Sequence, residues 1–419
     1  MGDLARRMTA VASDLMTSEP VLVLTGPRAV GKSTLLRHLA HLHNTTIIDL
    51  DAAATLAAAR DDPAWITQGP APVLIDEFQR APELLQAIKA ELNTDLRPGR
   101  FVLTGSTTYD SLPRTSQSLT GRAHIGTLWP LSQGEIDGSR EQFLERMLAD
   151  PLSILDLGGS DRTRADYVNR IVRGGYPLAL ARDDEADRRR WFSSHLRLVL
   201  QRDVLDVSRI HQQQELPRLL TRLASQLGST VNMTAAAQSL GIAQRTAESY
   251  AALLDAVHIT YRLPAWSRLV GPTVAKKPKV HLYDSGLASH VLRATSDKLL
   301  SPDASTGTEI GGLLETFVVS EIHKQASWVN DLVTLGHWRT HDGAEVDLVI
   351  ERHDGGVIGV EVKAGSIVRA DDGRHLKALA DKVGRDWVGG VVLHLGAHSW
   401  AIDRQRRIVA APVDRLWTA

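Results

Sequence analysis

One eight-residue stretch limits what this chain can fold into more than any other. Gly26-Pro27-Arg28-Ala29-Val30-Gly31-Lys32-Ser33 has the spacing GxxxxGK[ST]. An apolar run, Val21-Leu22-Val23-Leu24, precedes it, and a helical pattern from Ser33 to His41 follows. Strand, loop and helix in that order are the context a phosphate-binding loop requires. The glycines let the main chain curl so that its N–H groups face phosphate oxygens, and the helix N-terminus adds positive potential. Lys32 is expected to reach the β- and γ-phosphates and the Ser33 hydroxyl to ligate Mg²⁺, with Thr34 beside it. The ligand implied is ATP with Mg²⁺.

Such a loop needs an acidic strand end facing it. Val73-Leu74-Ile75-Asp76-Glu77 supplies one. Asp76 is expected to hold Mg²⁺ through water, and Glu77 to polarise the attacking water. Phe101-Val102-Leu103-Thr104-Gly105-Ser106 offers a third strand end, where Thr104 or Ser106 is placed to sense the γ-phosphate. Segments 21–26, 45–50, 71–77 and 100–106 are short apolar strands alternating with helical stretches, the pattern of an α/β domain with a parallel sheet. Their unbroken apolar character suits strands buried on both faces. In a parallel sheet these strand ends share one edge, where ligands bind.

These motifs resemble the AAA+ ATPases, in particular the bacterial and archaeal family whose ATPase module precedes a DUF4143 domain. Later segments fit the same likeness: Leu119-Thr120-Gly121-Arg122, Arg173-Gly174-Gly175-Tyr176-Pro177 and Gln201-Arg202-Asp203-Val204. The resemblance implies a helical lid around 160–210, with Pro177 near the adenine base. It also implies a cation on the γ-phosphate, often from a neighbouring subunit, for which Arg122 and Arg202 are the candidates. An arginine acting in trans implies a homo-oligomer.

A chain of 419 residues exceeds one core and predicts two or three domains. The absence of cysteine excludes disulfides, thiolate zinc sites and cysteine nucleophiles, and suits the cytoplasm. No run of about 18 apolar residues exists, and Ser13 and Asp14 interrupt the N-terminal apolar stretch, so neither a membrane span nor a targeting segment is expected. Net charge is −1, so any nucleic-acid contact must come from local patches.

Residues Leu216 to Leu227, Thr234 to Ile242 and Ala243 to Val257 read as three helices, the second ending at Gly241. That is a helix–turn–helix arrangement. Gln244, Arg245, Glu248 and Ser249 lie at the exposed start of the last helix, where such motifs reach bases. The stretch 261–281 carries five Lys/Arg and no Asp or Glu, with Tyr261 and Trp266 interleaved, and is expected to form a basic wing along phosphates.

Near the C-terminus, Glu345-Val346-Asp347 opens one strand and Val357 to Lys363 forms the next. Alternation puts Glu361 and Lys363 on one face, and Asp347 meets them if the register is right. Glu315 lies on an upstream helix, 311–325. Charges inside apolar strands are costly to bury unless they bind something. The set resembles the PD-(D/E)xK nuclease fold, shared by Holliday-junction resolvases and many restriction enzymes, although Val346 stands where proline is common. The likeness implies that Asp347 and Glu361 bind Mg²⁺, that Glu315 assists and that Lys363 orients or activates water.

The expected chain is α/β and multidomain: an AAA+ core (1–160), a helical lid (161–210), a winged helix-turn-helix (211–280) and a nuclease-like domain (281–419). The expected function is a DNA-binding ATPase that remodels or translocates on DNA, with branched DNA as substrate by analogy with resolvases and RNA as a further possible ligand. The alternatives are an ATP-gated, Mg²⁺-dependent endonuclease and a nucleotide-switched regulator of protein partners.

Overall fold

The computed structural model describes residues 4–111, 119–204, 214–267, 277–301 and 304–419. Strands β1 (Val21–Thr25), β2 (Ile47–Asp49), β3 (Val73–Asp76), β4 (Phe101–Gly105) and β5 (Ala123–Thr127) form one sheet in the order β2-β3-β4-β1-β5. Every pairing is parallel, with Thr25 level with Gly105 and Thr127, and Asp76 level with Thr104. The C-terminal strand ends therefore lie along one edge, as the expected α/β fold requires. Strands β1, β3 and β4 are buried throughout, which explains their unbroken apolar runs. The edge strand β5 is half-exposed, and its mixed sequence, AHIGT, carries no strand signal of its own.

A helical layer follows, with helices Arg164–Arg173, Pro177–Leu180 and Glu185–Leu198. Thr163 and Asp166 form a capping box at its start. The paired glycines before Tyr176 have a packing reason. A Cβ on Gly175 would lie 2.3 Å from the Leu131 carbonyl oxygen, which is close because Gly175 accepts a 2.9 Å hydrogen bond from the Leu131 N–H. The Gly175 N–H in turn donates to the buried Asp284 carboxylate at 2.6 Å. The helical layer is thus stapled at one point both to the segment that follows the parallel sheet and to the region beyond it.

Helices Glu215–Ala224, Met233–Leu240 and Gln244–Ala256 come next, the second capped by Gly241 at φ 66°. The antiparallel hairpin β6 (Thr260–Leu263) and β7 (Lys279–Leu282) closes this module. The C-terminal module has a long helix, Ala304–Ala326, and strands β8 (Val333–Arg339), β9 (Glu345–Arg352), β10 (Val357–Lys363), β11 (Trp387–His394), β12 (Trp400–Asp403) and β13 (Ile408–Pro412). They form a mixed sheet ordered β12-β13-β11-β10-β9-β8.

These modules are not beads on a string. Lys324 Nζ donates to Leu131 O at 3.1 Å, Glu321 Oε2 accepts from the Gln133 N–H at 2.9 Å, and Gln325 Oε1 accepts from the Leu144 N–H at 2.9 Å. The Ala419 carbonyl accepts from the Gln142 N–H at 2.9 Å. One apolar cluster runs from Met8 to Ala419. Among the described residues no helix is long and apolar enough to cross a membrane.

The Gly175 contact is testable. Gly175→Ala forces a methyl group against the Leu131 carbonyl and should lower stability by about 1–3 kcal/mol, as overpacking does. A thermal midpoint equal to that of the unmodified protein would contradict the staple.

Candidate nucleotide site and acid cluster

Gly31 adopts φ 101°, a left-handed conformation, and hands the chain to the helix Lys32–Leu42. Lys32 opens that helix and is buried, and its Nζ donates to Gly26 O and Pro27 O, each at 2.8 Å. Burial lowers the pKa of this ammonium to about 8, against the opposing pull of the Glu77 and Asp76 carboxylates. The structure therefore brings together the lysine and the two acids that the sequence pairs. Ser33 is exposed in the first helical turn, and Thr34 Oγ1 accepts from Arg37.

Both acids are held from behind. Asp76 Oδ1 accepts from Thr104 Oγ1 at 2.5 Å and from the Glu77 N–H at 3.0 Å. Glu77 has a left-handed backbone, φ 57° and ψ 43°, a conformation that costs a non-glycine residue energy and persists only where surroundings impose it. Its Oε2 accepts from Ser106 Oγ at 3.1 Å and from Gln79 Nε2, which also donates to Ser106 at 3.0 Å. Thr104 or Ser106 was expected to sense the γ-phosphate. In this structure each hydroxyl is committed to a carboxylate instead. Gln79, which the sequence motif did not mark, completes the clamp on Glu77.

The lid reaches the loop through a different residue from the one expected. Arg28 Nε bonds Asp203 Oδ2 at 2.5 Å, while the neighbouring Arg202 is exposed. Asp203 ends a π-helical turn, Val199–Asp203, the kind of irregularity that often marks a functional segment. Arg122 immediately precedes β5, at the sheet end opposite the phosphate loop, and donates to Asn93 Oδ1 at 2.8 Å. Among the described residues, then, Arg28 and Arg6, which donates to Val30 O at 2.6 Å, are arginines of the same chain at the loop, and neither was expected as the cation. Pro177 opens the helix Pro177–Leu180 beside Tyr176, whose ring lies 5.0 Å from that of His195. Burial, then Arg28 and Lys32, lower the His195 pKa to about 4, so this neutral ring flanks the loop.

The three-helix module touches the same edge. The Thr108 N–H, just past β4, donates to Ala256 O at 2.9 Å, at the end of helix Gln244–Ala256. At the other end of that helix Gln244, Arg245, Glu248 and Ser249 are exposed, as expected. The basic wing is not as expected. Tyr261 and Trp266 are core residues, and Trp266 Nε1 donates to Glu351 Oε2 at 2.7 Å. Arg262 pairs with Asp255 at 2.9 Å, and Lys279 is fully buried. Arg268 and Lys276 lie outside the described residues.

Lys279 changes the reading of the C-terminal acids. Its Nζ lies 2.9 Å from Glu315 Oε1, 2.7 Å from Glu345 Oε1 and 3.1 Å from Asp347 Oδ1. Burial would expel its proton, but Asp347, Glu315 and Glu345 together raise its pKa well above the ordinary lysine value. The β9–β10 register ends at Leu348 opposite Val360, so Asp347 and Glu361 come next, and Asp347 Oδ2 accepts from the Val362 N–H at 2.9 Å. Glu361 is buried, with Lys363 Nζ at 3.4 Å and His375 Nδ1 at 3.5 Å. Burial, then the Asp347 charge, push Glu315 up to about 8 and Glu361 up to about 7.

Glu315 and Asp347 do not fit the Mg²⁺ set expected of Glu315, Asp347 and Glu361. An ion needs oxygens at about 2.0–2.1 Å around a point it alone occupies. Here Glu315 and Asp347 each commit an oxygen to an ammonium, and among the described residues no three His, Asp or Glu side chains converge as an ion-binding group. Lys363 Nζ lies 3.4 Å from Glu361 Oε2. The signal that could have revealed the partner is a lysine opening the apolar strand Lys279–Leu282, far away in sequence.

Comparison with known proteins divides the chain similarly. An AAA domain matches residues 18–137, a domain of unknown function, DUF8612, matches 164–298, and DUF4143, also a domain of unknown function, matches 310–416. Uncharacterized proteins of Mycobacterium tuberculosis and Mycobacterium bovis are each 25% identical over 399 residues, covering 95% of this chain and 81% of the relative. A solved Walker-type ATPase of Pyrococcus abyssi is 14% identical, with a TM-score of 0.38, over 70% of this chain and 96% of its own.

The buried ammonium gives ATP binding a pH signature. Triphosphate binds the charged lysine, so above the free protein's value of about 8 a proton must be taken up on binding. Affinity for a fluorescent ATP analogue should be level below that pH and fall up to about tenfold per unit above it. Affinity that stays level well into the alkaline range would contradict the assignment of Lys32.

Proposed function

From the premise that the chain is a P-loop ATPase joining an AAA domain to a DUF4143 domain, we propose that it couples ATP hydrolysis to movement of a DNA-binding helical module. The observation that carries this reading is the bond from Thr108 to Ala256. It links the strand end that clamps Glu77 to the helix whose far end presents Gln244 and Arg245.

In this reading the N–H groups of the loop Gly26 to Ser33, with Lys32, bind the phosphates, and Ser33 and Asp76 hold Mg²⁺. The ion offsets phosphate charge when bound. Thr104 fixes the Asp76 carboxylate through its hydrogen bond. Glu77 accepts a proton from the attacking water, and Gln79 and Ser106 set where its carboxylate sits. Arg28 exchanges Asp203 for phosphate, which frees the segment Val199–Asp203 of the lid. In this reading Arg122 or Arg202 acts on a neighbouring protomer, which makes a homo-oligomer part of the proposal. Exposed Arg245 contacts phosphates of duplex DNA, and no feature of the cluster around Lys279 favours branched DNA in particular.

A second reading, a slowly cycling regulator of protein partners, draws on the clamp that holds Glu77 away from a fully free carboxylate. ATPase assays with single-stranded, duplex, forked and four-way DNA and with RNA separate the two, since only the first predicts stimulation.

Lys32→Ala should abolish turnover, and retained ATPase in the purified variant would refute the site. Glu77→Gln should keep ATP binding while slowing hydrolysis by about 10²–10⁴-fold, the range of a lost general base. Arg245→Ala should weaken DNA binding evenly across sequences and reduce the salt slope by about 1. Binding unchanged in affinity and salt dependence would remove this helix from the interface.

A further inference from the structure

The acid cluster of the C-terminal sheet is built around an ammonium with a full set of partners. A lysine side chain has three N–H donors and no acceptor. Lys279 Nζ has three carboxylates within 3.1 Å: Glu315 from the long helix, and Glu345 and Asp347 from one face of β9. The lysine itself comes from neither element. It stands on β7, the second strand of the hairpin that closes the three-helix module. The main chain around it is tied to the same sheet. The Trp266 N–H donates to His337 O at 2.7 Å, the His337 N–H donates to Pro264 O at 2.9 Å, and His337 Nε2 lies 3.0 Å from Lys277 O.

We propose that Lys279 is the permanent cation of this cluster, so that the nuclease-like sheet takes no divalent metal and serves as a charge-locked joint between the hairpin and the C-terminal module. The argument is one of space and charge. A divalent ion ligated by Glu315 and Asp347 at the centre of the three carboxylates would occupy the point where Nζ sits, and the pairing of Lys279 with Leu263 on β6 fixes the backbone from which that side chain extends. Arg339 at 3.4 Å from Glu345 adds a second positive charge at the rim. With the ammonium in place, the sheet retains the residues of a hydrolytic site without its metal position. The inference is independent of the ATPase reading and fails separately from it.

The test uses the full chain without nucleotide, carrying Asp76→Asn to silence the ATP-site ion. Manganese is titrated and followed by electron paramagnetic resonance and calorimetry. With Lys279 intact, the expected result is no saturable Mn²⁺ site that depends on Asp347, and a thermal midpoint that Mn²⁺ does not raise. Adding Lys279→Met should lower the midpoint and create one Mn²⁺ site, lost again with Asp347→Asn, with Mn²⁺ restoring much of the lost midpoint. If Lys279→Met does not fold, Lys279→Met with Glu315→Gln and Glu345→Gln, which neutralises two of the three carboxylates around the lost ammonium, should recover a folded chain. An Asp347-dependent Mn²⁺ site in protein with Lys279 intact would overturn the proposal. So would a folded Lys279→Met protein with an unchanged midpoint and no new site.

Discussion

A single buried ammonium organises the nucleotide end of this molecule. Lys32 Nζ has two main-chain carbonyls of its own loop as hydrogen-bond partners, and two carboxylates close enough to hold up its pKa against burial. Such an arrangement exists because the parallel sheet brings the ends of β1, β3 and β4 to one edge. The loop needs a left-handed glycine to enter its helix there, and Gly31 provides it.

Three connections lead outward from that edge. Arg28 bonds Asp203 in the lid, Ser106 and Gln79 hold Glu77, and Thr108 bonds Ala256 at the base of the three-helix module. The region beyond is firmly joined: buried Asp284 holds Gly175, and Lys279 locks the hairpin to the C-terminal sheet. Rigid joints on one side and exchangeable polar contacts on the other are what a conformational relay needs, because packed cores switch between arrangements rather than deform smoothly.

Local chemistry was legible in the sequence, and long-range pairing was not. The buried strands within 21–26, 71–77 and 100–106, the loop between Gly26 and Ser33, and the helix ending at Gly241 all follow from apolar runs and glycine placement, whereas the strand within 45–50, expected to be buried on both faces, lies at the sheet edge and is partly exposed. Strand alternation placed Glu361 and Lys363 on one face but left the register with Asp347 open, which the pairing of Leu348 with Val360 fixes. Edge strands such as β5 and β12 escaped because half-exposed strands carry mixed sequences. Lys279 was misread as a surface cation, since nothing local distinguishes a lysine facing phosphates from one facing three buried carboxylates. Asp203 was overshadowed by its neighbour Arg202 for the same reason: an acid that meets Arg28 across the chain has no spacing rule.

The central claim is that the nucleotide state is passed from Glu77 through the end of β4 to the helix Gln244–Ala256. Amide hydrogen exchange of the Glu77→Gln protein, compared without nucleotide, with ADP and with ATP, tests it most directly. The account predicts that ATP alters protection at Thr108 and along the helix Gln244–Ala256, beyond the changes in the phosphate loop, and that ADP does so less. Differences confined to the loop and the helix Lys32–Leu42 would contradict it.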